Sequence, residues 1–403
     1  MGALFNVIYS NLILMFYASS ANAGLGIISQ IFDQKEYLNL GNTSLFIIYF
    51  TSMINSILAP MYIKKFSWNY VFTLSSLGYI FFLCQGILVC SCKTKTQYFY
   101  CSTPIMYVII VIGSTICGLL ASILYLAQNQ YLSENTQDNN KSLYFGIGWS
   151  LLQSSYIIGN IYSAFLIQPL GQYNYFILMT AVSGVSAIFF IFIKSPPIQK
   201  LKVQIKSMIQ LIKTKQIRPL LFYMFSSGII LSFGMSVLNR IVKETLPQNE
   251  SDEYINKKTF LVMITLGVFE VIGGLIVTPL ADKYNKKNIA LLTNILYLCA
   301  IVSTIITHYQ GSYTLCFITG ALWGMTDCTT QSMNCNLLST IYDNDVRVFG
   351  IWNVFQNIGS LLGMIFSIIF KQINIVYYLL IILLNQIITN MMISQIKLKK
   401  SKQ

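Results

Sequence analysis

Charge is what this sequence has least of. Only 10% of its 403 residues are Asp, Glu, Lys or Arg, where soluble domains carry roughly 25%. Thirteen acids and 26 bases are too few to coat a soluble body of this length. Histidine is nearly missing too: His308 stands alone, which excludes multi-histidine metal sites and most catalytic triads. There is no GxxxxGK[ST] sequence, so a self-contained ATP-driven pump is excluded, and no paired CxxC pattern. No enzyme activity, no metal and no cofactor are therefore expected.

Apolar residues fill the space that charge leaves. They make up 55% of the chain, and the mean hydropathy is +0.62. Twelve apolar runs recur near 4–28, 43–63, 68–90, 104–130, 145–167, 173–193, 219–240, 259–281, 288–307, 313–338, 348–370 and 374–395. Runs of ~20 residues must be helices, because lipid satisfies no backbone hydrogen bond. The expectation is an all-α, multi-pass integral membrane protein whose main partner is the lipid bilayer. Ala21, Asn22 and Ala23 resemble a leader cleavage site, but no basic segment precedes them and the apolar run continues to Ile28, so the first run is read as a retained span.

Basic residues set the orientation. With both termini in the cytoplasm, the inner segments collect Lys64, Lys65, Lys141, the run from Lys194 to Arg218, Lys283, Lys286, Lys287, Arg347 and the tail from Lys397 to Lys402. The charge thus reads as topology; no compact domain carries it, and nucleic acid is not an expected partner. Two glycosylation sequons, at Asn42 and Asn249, fall on the outer side. Cys90, Cys92 and Cys101 cluster on a predicted outer hairpin, as free thiols or with one disulfide among them.

The chain also repeats itself. Phe145, Gly146 and Ile147 recur as Phe349, Gly350 and Ile351; Gly159 recurs as Gly363, and Gly118 matches Gly320. Duplicated six-helix halves resemble the major facilitator superfamily, with two pseudo-symmetric bundles. The expected division is 1–194, a linker over 195–217, and 218–403. Pro196 and Pro197 end the sixth helix. In the linker, Ile198, Leu201, Ile205, Met208, Ile209 and Ile212 share one helical face and lysines occupy the rest. Such a basic amphipathic helix suits an anionic inner leaflet, as a tether between the halves or a regulator's docking site.

Two acids, Glu270 and Asp327, lie inside predicted spans. They either lock helices by hydrogen bonds or hold a cation or proton. The tenth span sets Asp327, Gln331 and Asn334 on one face. The fourth carries Tyr125, Gln128 and Asn129, the fifth Trp149, Gln153, Tyr156 and Asn160, and the eleventh Asn353, Gln356, Asn357 and Ser360. The superfamily resemblance implies that these four helices border a central cavity. The segment holding Asp282, Lys283, Lys286 and Lys287 resembles the superfamily's acidic-basic gating motif, and the matching place in the first half has Ile63 instead of the acid.

Along nearly its whole length the chain resembles the Unc-ninety-three-like branch of that superfamily. The resemblance rests on Gly41 to Tyr49 with Ala59 and Pro60, Leu126 to Tyr131 followed by Phe145 to Ile147, the spacing Gly267, Glu270, Gly273, Gly274, and the spacing Gly324, Asp327, Thr330, Gln331. Tyr125 and Leu126 stand where members often carry Trp. The resemblance implies a regulator of ion (potassium) channels or a channel or receptor partner affecting ion homeostasis, in a plasma or endosomal membrane. The alternative is a carrier of a small solute or cation, coupled to protons through Asp327 or Glu270.

Overall fold

A computed structural model describes residues 2–32, 40–92, 98–137, 139–194, 204–247, 250–371 and 374–396, and all regular structure among them is helical. In the first half the spans are α1 (Ala3–Phe32), α2 (Leu40–Tyr62), α3 (Trp68–Cys92) and α4 (Thr103–Glu134). The next helix runs from Lys141 to Phe189 but breaks at Gly171, where φ is +69° and ψ 159°, two residues after Pro169. Glycine adopts that backbone at little cost, so the segment is two spans, α5 (141–170) and α6 (172–189).

The second half has two spans that change pitch. In α7 (Arg218–Ser232) a π-helical turn, Phe233–Leu238, leads into Asn239–Glu244. In α8 (Asp252–Ile272) another, Gly273–Val277, leads to Leu280–Lys283. The remaining spans are α9 (Lys286–Gln310), α10 (Tyr313–Ile341), α11 (Val346–Lys371) and α12 (Ile375–Ser394). Among the described residues nine helices are long and apolar enough to cross a bilayer, with α5 and α6 joined as one. The polar α10 and the interrupted α7 supply the other two of the twelve.

The halves pack as two lobes with matching neighbours. Contacts of α2 with α4, α3 with α4, and α3 with the α5–α6 segment are echoed by α8 with α10, α9 with α10, and α9 with α12. Between lobes, α5 lies on α8 and α2 lies on α11. The repeated glycines mark equivalent crossings. A methyl at Gly146 would strike the Gly274 carbonyl on α8; one at Gly350 would meet Pro60 Cγ (2.5 Å) and the Ser56 carbonyl (3.0 Å) on α2. Gly159 lies on the Ser19 carbonyl of α1 (2.7 Å) and Gly363 on Ser232 of α7. Gly118 lies on the Ile48 carbonyl of α2 and Gly320 on that of Val262 of α8 (3.3 Å). Small residues let helix backbones approach closely where lipid gives no hydrophobic drive to pack.

Part of the linker is a short helix, Ile205–Ile212, which starts just after the cap residue Gln204. Met208 is buried, and its Cε stands 3.2 Å from where a Gly350 side chain would begin, so the helix plugs the α2–α11 seam. Ile205 and Ile209 of its apolar face are exposed; Ile198 and Leu201 lie outside the described residues. One disulfide joins Cys92 to Cys101, with Cα atoms 5.3 Å apart. Cys90 stays out of it: two helical residues apart is a turn of about 200°, so only one of Cys90 and Cys92 faces the hairpin. Asn249 and the side chain of Asn42 lie outside the described residues.

Candidate functional site

The lobes enclose a cavity at their junction. Its walls come from α1 to α5, α7, α10 and α11, and the centre of a water-sized molecule has about 100 Å³ to move in. One ordered water needs roughly 10–15 Å³ by that measure, so the cavity has room for a small solute or several waters. Nine of the expected residues face it: Tyr125, Asn129, Trp149, Gln153, Tyr156, Gln331, Asn353, Gln356 and Asn357. Amides with both donors and acceptors dominate the polar part. Asn357 Nδ2 also donates to Ser52 Oγ on α2 (3.2 Å), so the wall itself ties the lobes together.

Asp327 and Glu270 stand behind this wall and line a smaller void of about 20 Å³ together with Tyr156, Gly234 and Trp323. Both acids are almost fully buried, at 6% and 1% exposed. Gln153 Nε2 donates to Asp327 Oδ2 (3.1 Å) and to Glu270 Oε1 (3.3 Å). Gln331 Nε2 donates to Asp327 Oδ1 (3.0 Å), and Gln356 Nε2 to Gln331 Oε1 (3.0 Å). A chain of amides from α5, α10 and α11 therefore runs from the cavity wall to the carboxyls.

Four expected residues lie elsewhere. Gln128 donates to Asn11 Oδ1 on α1 (3.1 Å), Asn160 to the Tyr156 carbonyl of its own helix (2.8 Å), Asn334 to the Tyr223 carbonyl on α7 (3.4 Å), and Ser360 to the Gly228 carbonyl on α7 (3.1 Å). They join helix to helix or fold back, because a polar stripe is wider than the arc of helix a cavity exposes. Asn22, Tyr49, Ser52, Tyr79 and Trp352 also face the cavity and were absent from the expected set. Tyr49 and Ser52, three apart on α2, carried a readable signal; Asn22 was hidden in a segment resembling a cleavage site.

Toward the end of the bundle that holds the linker helix, the cavity is closed by hydrogen bonds between lobes. Cys335 Sγ donates to Asn129 Oδ1 (3.2 Å), and Ser133, Ser339 and Asn344 Oδ1 form a triangle of contacts at 2.5 to 2.8 Å in which two hydroxyl protons serve three oxygens. Gln130 Nε2 reaches the Asn344 carbonyl (3.0 Å), and Asn336 Nδ2 reaches Ser142 Oγ (2.5 Å). Trp149 and Trp352 pack edge to face, 5.8 Å between centroids. The segment around Asp282 adds a tie between lobes: Asp282 accepts from the Ser142 and Leu143 backbone N–H groups at 2.9 and 2.8 Å, capping the start of α5 from the other lobe. Lys286 Nζ braces Asn336 and Thr340 on α10 (both 2.9 Å), Lys287 Nζ reaches the Ser394 carbonyl, and Lys283 is exposed. At the matching place of the first half Ile63 is buried, Lys64 pairs with Glu134, and Asp345 caps α11 from within its own lobe through Arg347 N–H (2.9 Å).

A sequence profile described as Major Facilitator Superfamily matches residues 96–364. The chain belongs to the major facilitator superfamily. Among curated proteins it is similar to UNC93-like protein MFSD11 of Xenopus tropicalis, 23% identical over 90% of each chain, and to that of Xenopus laevis, 26% identical over 48% of this chain and 42% of the relative. These place it with the Unc-93-like members. Its fold matches a bacterial homologue of the iron transporter ferroportin in an outward-facing state (TM-score 0.74, 10% identity, 98% and 99% of the chains). It also matches the E.coli fucose:proton symporter FucP (TM-score 0.68, 13% identity, 97% and 98%). At such identities the likeness is one of fold alone. As a facilitator it is a multi-pass membrane protein with a transporter-like fold.

Proposed function

We propose that this facilitator is a carrier for a small polar solute, working by alternating access. The observation that carries the reading is the cavity itself: both lobes wall it, amides line it, and a hydrogen-bonded seal closes it at one end. Amide walls match a ligand by donors and acceptors in place of its water. The lobes divide as 1–194 and 218–403, and Asp282 with the lysines of its segment latches the sealed end. That end faces the cytoplasm, in a plasma or endosomal membrane; the linker lysines and the Cys92–Cys101 bridge at the opposite end support this orientation. The test is labelling of Asn353→Cys by a membrane-impermeant maleimide in vesicles, with uptake of a panel of small polar solutes by proteoliposomes. The reading expects labelling from one face only and uptake of at least one solute, lost in Gln153→Leu. A residue 353 that reacts from neither face, with no uptake, would contradict it.

Ile63 favours a second reading. A facilitator without a first-half latch suits a regulator of ion (potassium) channels, or a channel or receptor partner, that need not cycle. Co-purification of a channel or receptor with the full chain after cross-linking supports that reading, and its absence removes it.

A further inference from the structure

We propose that Glu270 and Asp327 form a site for a single positive charge, a proton or a sodium-sized ion, separate from the solute cavity and wired to it through Gln153 and Gln331. This deepens the carrier reading by naming what the solute is coupled to.

The carboxyls come from different helices, α8 and α10, yet they share one amide nitrogen and lie within hydrogen-bonding reach of each other. Three of their four oxygens accept from glutamine. The fourth, Glu270 Oε2, is buried, and no donor among the described residues reaches it. Among the described residues the ionisable side chains around the pair are Tyr156 on α5, Tyr49 on α2, Tyr297 on α9 and Cys328 on α10, and none of these is basic. Two anions held this close inside a membrane repel strongly and lose their hydration. One bound positive charge relieves both costs. The adjoining void is about the size of one water, which suits a bare ion or a hydronium and excludes an organic solute.

The surrounding backbone is irregular on two sides. The π-helical turn of α7 contributes Gly234 to the void, and that of α8 begins at Gly273, three residues after Glu270. Such turns break the regular ladder and gather at functional sites. Coupling follows from the wiring. Gln153 and Gln331 face the solute cavity while their amide nitrogens serve the acids. A solute that draws either amide toward itself strips donors from the carboxyls and strengthens their hold on the positive charge. By reciprocity, the bound charge frees the amides for solute.

The test uses the full chain in detergent and needs no transport, so its failure is distinguishable from failure of the carrier reading. Trp323 lines the void and stacks on Phe233, 3.9 Å between centroids, which makes its fluorescence a reporter. Titrations with sodium chloride against choline chloride form one arm, and acidification without sodium the other. A saturable fluorescence change with a rise in unfolding temperature in either arm is expected, and the responding arm identifies the ion. Glu270→Gln and Asp327→Asn should each weaken the response at least tenfold, in the fluorescence change and in the thermal shift alike. Wild-type protein that responds to neither ion, or a Glu270→Gln/Asp327→Asn double variant that responds as wild type does, overturns the proposal. Should the variants fold poorly, the wild-type response to sodium and to acid decides it alone.

Discussion

The two seams where the lobes meet at the linker end use equivalent helices and unlike chemistry. On the α5–α8 seam, Asp282 reaches across and caps the first turn of α5 with two hydrogen bonds. On the α2–α11 seam, Ile63 sits in place of that acid, Asp345 caps α11 locally, and Met208 of the linker helix fills the space beside Pro60 and Gly350. A carboxylate on backbone N–H groups is directional and lets go as a unit. A thioether against an apolar edge tolerates sliding. On the carrier reading proposed above, the first seam is the clasp and the second the hinge, and a latch on only one side is compatible with cycling.

Four substitutions break or sharpen that contrast. Gly146→Leu is the most severe, because the side chain would meet the Gly274 carbonyl, which cannot rotate away; overpacking of a backbone contact should cost about 3 kcal/mol or more, seen as loss of the monodisperse peak in size-exclusion chromatography. Ile63→Asp places an acid in a buried site whose intended helix end is already served by Asp345. A loss of about 3 kcal/mol is expected, and adding Asp345→Ala should restore part of it in a double-mutant cycle of unfolding temperatures. If the double variant is merely the sum of the singles, the two caps are not interchangeable. Met208→Ala removes the plug and should cost about 2 kcal/mol, with greater protease access to the linker as its readout. Asp282→Ala leaves two N–H groups of α5 without their acceptor, about 1–2 kcal/mol; a cysteine at Ser142 should then label faster, whereas Asp282→Asn, which keeps one acceptor oxygen, should lie in between.

How far the sequence revealed these features depended on whether each was local. The glycine repeats showed the lobes because close helix crossings admit little else, and the crossings prove equivalent in pairs. Asp327 and Gln331, one helical turn apart, were readable as neighbours, and they are bonded at 3.0 Å. Their union with Gln153 and Glu270 was not readable, since it depends on how α5, α8 and α10 are rotated about their axes. Gln128 shows the same limit from the other side: its stripe pointed to the cavity, but its rotation gives it to Asn11. The role of Met208 was hidden because an amphipathic face serves lipid and protein equally well.

The rocking of one lobe against the other can be measured between equivalent loops. With the exposed Cys84 and Cys299 replaced by serine and the other unbridged cysteines buried, spin labels at Phe66 and Tyr284 report the linker end. Labels at Phe99 and Tyr309 report the opposite end; all four positions are exposed. When transported solute is added to reconstituted protein, the distance at the linker end should lengthen as that at the opposite end shortens. Two distances that stay fixed, or that change in the same sense, would contradict alternating access about the junction cavity.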